Sequence, residues 1–292
     1  MINKSKVRQA ALNLIYAVEE NGGSMENFDL NLFWAIAQEK ETDTYRKTLA
    51  KSIVHTARAS ADSARLLSTR TEAVLSATKD VLPAAKLAED VERLQKRSDE
   101  FEAALKALKY CIKDKRQDTT EQLGICCTDV ITLAQVVEAL SKELIPGFAD
   151  YPEYRQILQQ LESAITRRNK LMSVCAALRY PENLYGQAEF VNLMRSAEVL
   201  RELRPEAEKL ALAVIARRAQ LEEKVNALLQ NYSLERLDVV DKCIIYLSLY
   251  EMEVNKLDTP IVVSEATALA DAYAGGKSAP FIHGIISAAA KA

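Results

Sequence analysis

The chain has 292 residues, of which 49% are hydrophobic and 27% are charged, and its formal net charge is −3. This length suits one large domain or two small ones. The balance of charges excludes a globally basic nucleic-acid-binding protein, although it leaves room for a local basic patch. With only eight Gly and seven Pro, the composition favours helix.

Cysteine usage and hydropathy patterning indicate a cytoplasmic protein. The five cysteines are odd in number and irregularly spaced, at positions 111, 126, 127, 175 and 243. This pattern argues against a disulfide framework and favours a reducing compartment. Residues 1–20 form an amphipathic pattern and not a signal peptide. Uninterrupted apolar runs are far shorter than the roughly 18 residues of a membrane span, so we expect no membrane segment.

The first 82 residues predict three helices. Apolar residues recur at spacings of three and four between positions 4 and 20, which predicts a helix that ends at Asn21-Gly22-Gly23. A second helix holds Leu30, Phe33, Trp34 and Ala37. No Gly or Pro interrupts residues 42–82, so this stretch predicts one helix longer than is typical of globular proteins.

The rest of the chain is also helix-like. We predict helices over residues 84–116, 119–145, 151–179 and 184–203, and Pro205 is placed to open a further helix that runs to about residue 230. Thr259 and Pro260 are typical of a helix start, Gly275-Gly276 of its end, and Ser278 can cap a final helix. Because no segment shows sustained alternation, the predicted fold class is all-α.

Candidate binding residues lie near both ends of the chain. Lys4, Lys6 and Arg8 could contact phosphates, although an ordinary solvated helix start has the same composition. The aromatic rings of Tyr16 and Phe281 could stack on bases or pack in the core. Lys277 and Ser278 could form an anion site at the N-terminus of the last helix. The imidazole of His283 could donate or accept a hydrogen bond with RNA.

The sequence offers no catalytic or metal-binding motif, and we expect no enzyme activity, cofactor or metal. Only two His occur, at positions 55 and 283, and the vicinal Cys126-Cys127 is most simply a pair of small buried side chains. Glu251 and Glu265 lie in otherwise apolar helices and therefore need partners. Helix N-termini, Arg236 or Lys242 could supply them.

Four segments together resemble the NusB family. Residues 231–251 are similar to its signature helix, residues 258–270 to its "D-x-P-x-x-x-I-N-E-A" helix, and residues 278–286 to "S-x-x-F-V-N-G-V-L". Residues 4–16 are similar to its basic first helix. The resemblance implies a NusB-like helical core formed by residues 1–56 and 212–292, with residues 57–211 as an inserted helical lobe or stalk that splits the family's third helix.

The resemblance also implies a function. A NusB-type antitermination factor would bind boxA-like single-stranded RNA with a small-subunit ribosomal protein acting as NusE, within the transcription complex, mainly on ribosomal RNA operons. The chain departs from the family pattern at Ser264, Asp271 and His283, and its first helix is less basic. These departures leave open a protein-interaction scaffold with reduced or lost RNA binding and a partner docked on the insertion. A methyltransferase fusion would need a strand-rich domain that the sequence lacks.

Overall fold

The computed structural model describes residues 3–79, 81–114, 119–229, 233–275 and 278–291, and all regular structure in these ranges is helical. The all-α prediction is thereby confirmed. The α-helices are α1 (Lys4–Glu20), α2 (Leu30–Ala37), α3 (Glu39–Thr56), α4 (Ser60–Thr78), α5 (Ala85–Lys113), α6 (Thr119–Gly147), α7 (Arg155–Ala177), α8 (Val191–Ile215), α9 (Arg218–Leu228), α10 (Val239–Glu253), α11 (Thr259–Tyr273) and α12 (Ser278–Ala289).

Two helix predictions were wrong. Residues 42–82 do not form one helix, because a short 3-10 segment, Ala57–Ala59, separates α3 from α4. Ala57 is buried there, and neither Gly nor Pro lies at this interruption. Pro205 does not open a helix but lies inside α8. Its ring is exposed, and the buried Leu203 and Ala207 on either side continue one apolar face through it.

The chain divides into two compact units. Residues 1–39 and 198–292 form one, called here the terminal unit, and residues 40–197 form the other, called the central unit. These divisions differ from the sequence prediction, which placed its boundaries at 56/57 and 211/212. The apolar faces explain the difference: Leu49 and Ile53 of α3 pack in the central core, whereas Leu203 and Ala207 of α8 pack in the terminal core.

Helix α10 is the centre of the terminal unit. Each residue from Cys243 to Glu251 is buried, which is the pattern of a helix enclosed on all sides. The helices packed against it are α1, α9, α11 and α12. Because α1 and the last four helices share one core, the two ends of the sequence build a single structural unit.

A glycine pair ends α1. Gly22 and Gly23 both adopt positive φ, and the Gly23 N–H donates to the Val18 carbonyl at 2.8 Å. A Cβ on Gly23 would lie 2.2 Å from a guanidinium nitrogen of Arg218. Arg218 in turn pairs with Glu19 at 2.8 Å. Glycine therefore permits the turn and leaves room for the guanidinium of Arg218 beside it.

The central unit is built around the long helices α4 to α7, in which α5 packs against α4 and α6, and α7 packs against α4 and α6. Arg168 is 1% exposed within it. Its guanidinium donates to Ser60, Ser63 and Glu102 and lies 5.0 Å from the Phe101 ring centre. Burial lowers the pKa of Arg168, while Glu102 acts in the opposite direction. The bundle thus has a buried polar network as well as an apolar core.

One helical stretch among the described residues, Thr120–Asp150, is long and apolar enough to cross a membrane by length and composition alone. A search for unbroken apolar runs misses it because Thr128, Asp129 and Gln135 interrupt them. Its buried side chains, including Val130 and Val137, belong to the central core. The same composition is expected of a core helix in a soluble bundle.

Candidate nucleic-acid interface

Helix α1 presents a stripe of exposed side chains opposite its buried face. Lys6, Asn13, Tyr16 and Glu20 are exposed and recur at spacings of seven, three and four, so they lie on one side of the helix. The stripe changes from a cation near the start of α1 to a ring and then to a carboxylate at its end. The opposite face, which includes Val7 and Ala11, is buried in the core.

Lys4 is exposed but already paired. Its Nζ donates to Oε2 of Glu206 on α8 at 3.0 Å. The hydrogen bond from Lys4 lowers the pKa of Glu206, so the carboxylate stays charged at neutral pH. Both residues line a groove of about 280 Å³, together with Lys209. A phosphate that reaches Lys4 must therefore compete with Glu206.

Arg8 is not placed to contact a phosphate. It is 8% exposed, and its Nε donates to Oε1 and Oε2 of Glu251 at 3.0 and 2.8 Å. Its Nη1 lies 3.4 Å from Oε2 of Glu265. Burial alone would lower the pKa of Arg8, but the two carboxylates outweigh burial and raise it. The expectation that Arg8 contacts phosphate is therefore corrected: its guanidinium turns inward, which periodicity on α1 could not show.

The same contact corrects the partners proposed for the carboxylates of Glu251, which is buried, and Glu265, which is partly buried. Arg8 holds Glu251 and Glu265, which were expected to meet helix N-termini, Arg236 or Lys242. The three side chains come from α1, α10 and α11. One guanidinium therefore ties the first helix to two helices near the other end of the chain.

Tyr16 lines a groove of about 480 Å³ between α1, α10 and α11. Its ring is 40% exposed, and that of Tyr273, at the end of α11, is 42% exposed. Glu20 and Asp238 also line the groove, and Leu12, Val239 and Val240 add apolar surface. We give the name tyrosine groove to this site. Tyr273 was not among the sequence candidates, because its sequence position marked only the end of a helix.

The start of α12 is divided between buried and exposed groups. Ser278 is buried, and its hydroxyl donates to Oδ2 of Asp241 at 3.0 Å. Burial raises the pKa of Asp241, the Ser278 hydrogen bond lowers it, and Asp238 raises it, with a net increase. Phe281 is half-buried against the terminal core, and His283 is exposed. Lys277 lies outside the described residues.

The sequence candidates thus separate into different places. Lys4 and Arg8 line the groove that contains Glu206, while Tyr16 lines the tyrosine groove. Phe281 and His283 line neither of these two grooves. Ser278 fastens α12 to α10 instead of facing a ligand.

The thiol of Cys126 lies close to that of Cys111, although Cys127 is its neighbour in the sequence. Its Sγ lies 3.5 Å from Sγ of Cys111 at the end of α5. Burial, together with the nearby Cys126 and Cys111, raises the pKa of the adjacent Cys127 to about 12. Within the described part of the chain, no cluster of three His, Cys, Asp or Glu is arranged to hold a metal ion.

Residues 166–291 match the sequence profile of the NusB family. This range is therefore similar to a NusB family domain, and it makes up less than half of the chain. The matched range includes α8 to α12 and about half of α7. It therefore covers the C-terminal part of the terminal unit and also residues 166–197 of the central unit. No solved structure matches the chain.

Curated relatives of the chain are named "Transcription antitermination protein NusB". The protein of Methylacidiphilum infernorum is 39% identical over 72 residues, which cover 24% of this chain and 50% of the relative. The proteins of Macrococcus caseolyticus and Bacillus velezensis are 32% identical over 81 residues and 39% identical over 82. They cover 28% and 27% of this chain, and 62% of each relative. The chain therefore spans half to three-fifths of these NusB proteins.

Proposed function

We propose that the protein is a NusB-type transcription antitermination factor that binds RNA in the cytoplasm. The match of residues 166–291 to the NusB family carries this proposal, and the names of the relatives support it. The RNA would be a single-stranded element of the boxA type. The protein partner would be the small-subunit ribosomal protein that acts as NusE, in a complex that serves chiefly ribosomal RNA transcription.

The proposed RNA contacts follow from exposure and charge. Lys4 and Lys6 are exposed cations at the start of α1 and would neutralise phosphates. Tyr16 is an exposed ring farther along the same helix and would stack on an unpaired base. Phe281, His283 and Lys277 stay in the proposal as a second group of contacts. Arg8 and Ser278 leave it, because both are buried and bonded within the protein.

The proposed mechanism is binding and positioning, with no catalytic step. A few phosphate contacts and one or two stacked bases give modest affinity. A ribosomal-protein partner that binds the same RNA adds a second surface. Two weak surfaces on one complex then hold the RNA more tightly than either does alone.

The test measures the binding of a boxA-like RNA to the full chain at two salt concentrations, with and without the ribosomal protein. Changing Lys4 and Lys6 to Ala should weaken binding and flatten the salt dependence by roughly 0.7 log units per lost contact for each decade of salt. Changing Lys47 and Lys51 of α3, which are also exposed, is the matched control and should have little effect.

Phe281→Ala separates stacking from charge. This change should weaken RNA binding and leave the salt slope intact, provided that circular dichroism shows an unchanged fold. Absence of RNA binding by the wild-type protein with its partner at low salt would end the adaptor proposal.

One observation favours the alternative, a helical protein-interaction scaffold. Of the three cations predicted on α1, Arg8 is buried and Lys4 is paired with Glu206. A scaffold would leave the terminal unit without RNA and would bind its partner through the central unit. Salt-dependent RNA binding separates the two functions, since only the adaptor requires it.

A further inference from the structure

The tyrosine groove combines exposed aromatic rings with carboxylates. Tyr16 and Tyr273 offer exposed rings from two different helices. Glu20 and Asp238 offer carboxylates from the end of α1 and the start of α10. None of the described residues that line this groove is a cation. Asn13 of α1 adds an amide that can donate and accept. The groove is therefore suited to an aromatic ligand that carries hydrogen-bond donors for the two carboxylates.

The charges set the direction in which a nucleotide could enter. Two carboxylates repel phosphate, so the sugar–phosphate backbone is disfavoured inside the groove. Lys6 lies on the same exposed stripe of α1 as Tyr16 and Glu20, toward the other end of the helix. The backbone would follow the Lys6 end while a base enters between the tyrosines.

The acceptors are available for a ligand. Glu20 is exposed on the last turn of α1, and Asp238 is exposed at the N-cap of α10 without making a side-chain capping hydrogen bond. A carboxylate accepts hydrogen bonds and donates none when it is ionised. It therefore accepts hydrogen bonds from amino groups on a base and repels the carbonyl oxygens of a base.

We infer that the tyrosine groove binds a base with an exocyclic amino group, guanine in preference to all others, and discriminates against uracil. Guanine presents an N1–H and an N2 amino group side by side, which one carboxylate can accept together. Cytosine and adenine each offer one amino group, and a carboxylate is a known acceptor for that of cytosine. Uracil offers two carbonyls around a single N–H. This inference rests on the proposed function and adds a base preference to it.

The experiment uses the full chain and labelled single-stranded RNAs of about 12 nucleotides, a length within the usual range for such sites. One RNA is all uridine, and the others carry one guanosine, adenosine or cytidine at the centre. Their charge and length are the same, so phosphate contacts cancel in the comparison. We expect the guanosine RNA to bind roughly tenfold more tightly than all-uridine RNA, with the other two between them.

Two isosteric variants test the acceptors. Glu20→Gln and Asp238→Asn keep the shape of the groove but replace a carboxylate oxygen by an amide donor. Each should reduce the preference for guanosine and leave binding of all-uridine RNA equal or tighter, because a repulsive charge is gone. Glu26→Gln removes the same charge from an exposed residue outside the groove, and it should keep the preference unchanged.

The outcomes separate this inference from the proposed function. If no RNA binds, the proposed function fails and the base preference fails with it. If every RNA binds equally well and the variants behave like the wild type, the inference fails while the function stands. If the two variants weaken binding of the ribosomal protein but keep the base preference, the groove takes a cationic side chain of a protein, and our inference is wrong.

Discussion

The guanidinium of Arg8 donates to both carboxylate oxygens of Glu251, at 3.0 and 2.8 Å, across 243 positions of sequence. Both side chains are less than one-tenth exposed. Removing one partner of a buried ion pair leaves the other charge unpaired, which costs about 3 to 5 kcal/mol. Arg8→Ala should therefore lower the free energy of unfolding of the terminal unit by about 3 kcal/mol, measured by denaturant unfolding of the full chain.

Lys6→Ala is the matched control for this loss of a cation on α1. Lys6 is exposed, so its removal should change stability by less than about 0.5 kcal/mol. An Arg8→Ala protein as stable as the wild type would show that the ion pair does not hold α1 against α10.

Glu206 should act as an internal competitor of RNA. It accepts a hydrogen bond from Lys4 at 3.0 Å, and a phosphate must displace it. Glu206→Gln should therefore raise RNA affinity severalfold at low salt, with a smaller gain at high salt because exposed charges are screened. The equivalent change at the exposed Glu223 of α9 controls for net charge. Equal gains from both variants would refute the specific competition.

Asp241 should make the terminal unit less stable as the pH rises. Burial raises its pKa in the folded protein above the ordinary value of 3.8, so the folded state binds its proton more tightly than the unfolded state. Stability from this group is complete below the unfolded pKa and is lost as the pH rises through the folded pKa. Asp241→Asn keeps an acceptor for Ser278 and should flatten this decline.

The measurement for Asp241 is the free energy of unfolding between pH 4 and pH 7, an interval of about three units above the ordinary pKa of Asp. Asp271→Asn, at an exposed site on α11, is the control and should follow the wild type. A steeper decline in Asp241→Asn than in the wild type would contradict the sign of the pKa shift.

Cys111 and Cys126 should form a disulfide under mild oxidation. Their sulfurs are 3.5 Å apart, so a small rotation brings them to bonding distance. A low-molecular-weight disulfide would accept two electrons and leave as two thiols, while the two cysteines lose their protons. Mass spectrometry of peptides should find this link, and Cys111→Ser should abolish it. Cys175→Ser, which alters a buried thiol elsewhere in the core, should not. A dominant link between other cysteines would contradict the prediction.

The central unit should be removable. The side-chain amide of Gln38 donates to the carbonyl of Leu200 at 3.5 Å, so the chain leaves and re-enters the terminal unit at neighbouring points. Replacing residues 40–197 by a short glycine–serine linker should leave α1, α2 and α9 to α12 cooperatively folded, because the two units have separate cores. Loss of cooperative unfolding in the shortened chain would show that the terminal unit depends on the central one.

The sequence predicted the helices near both ends better than the interior contacts. The pattern from Lys4 to Glu20 marks a helix, and its ends agree with α1, since periodicity and the glycine pair act locally. The inward turn of Arg8 could not be predicted, because its two partners lie more than 200 residues away. Tyr273 was missed for the same reason: only the fold places it beside Tyr16.

The contact between Gln38 and Leu200 has a consequence for how such a gene can change. A coding segment for an entire helical bundle can be gained or lost there in a single in-frame event, without altering the order of the remaining helices. Selection can then act on one set of helices while the other keeps its own constraints. The same junction offers protein engineers a place to graft a reporter or an unrelated domain.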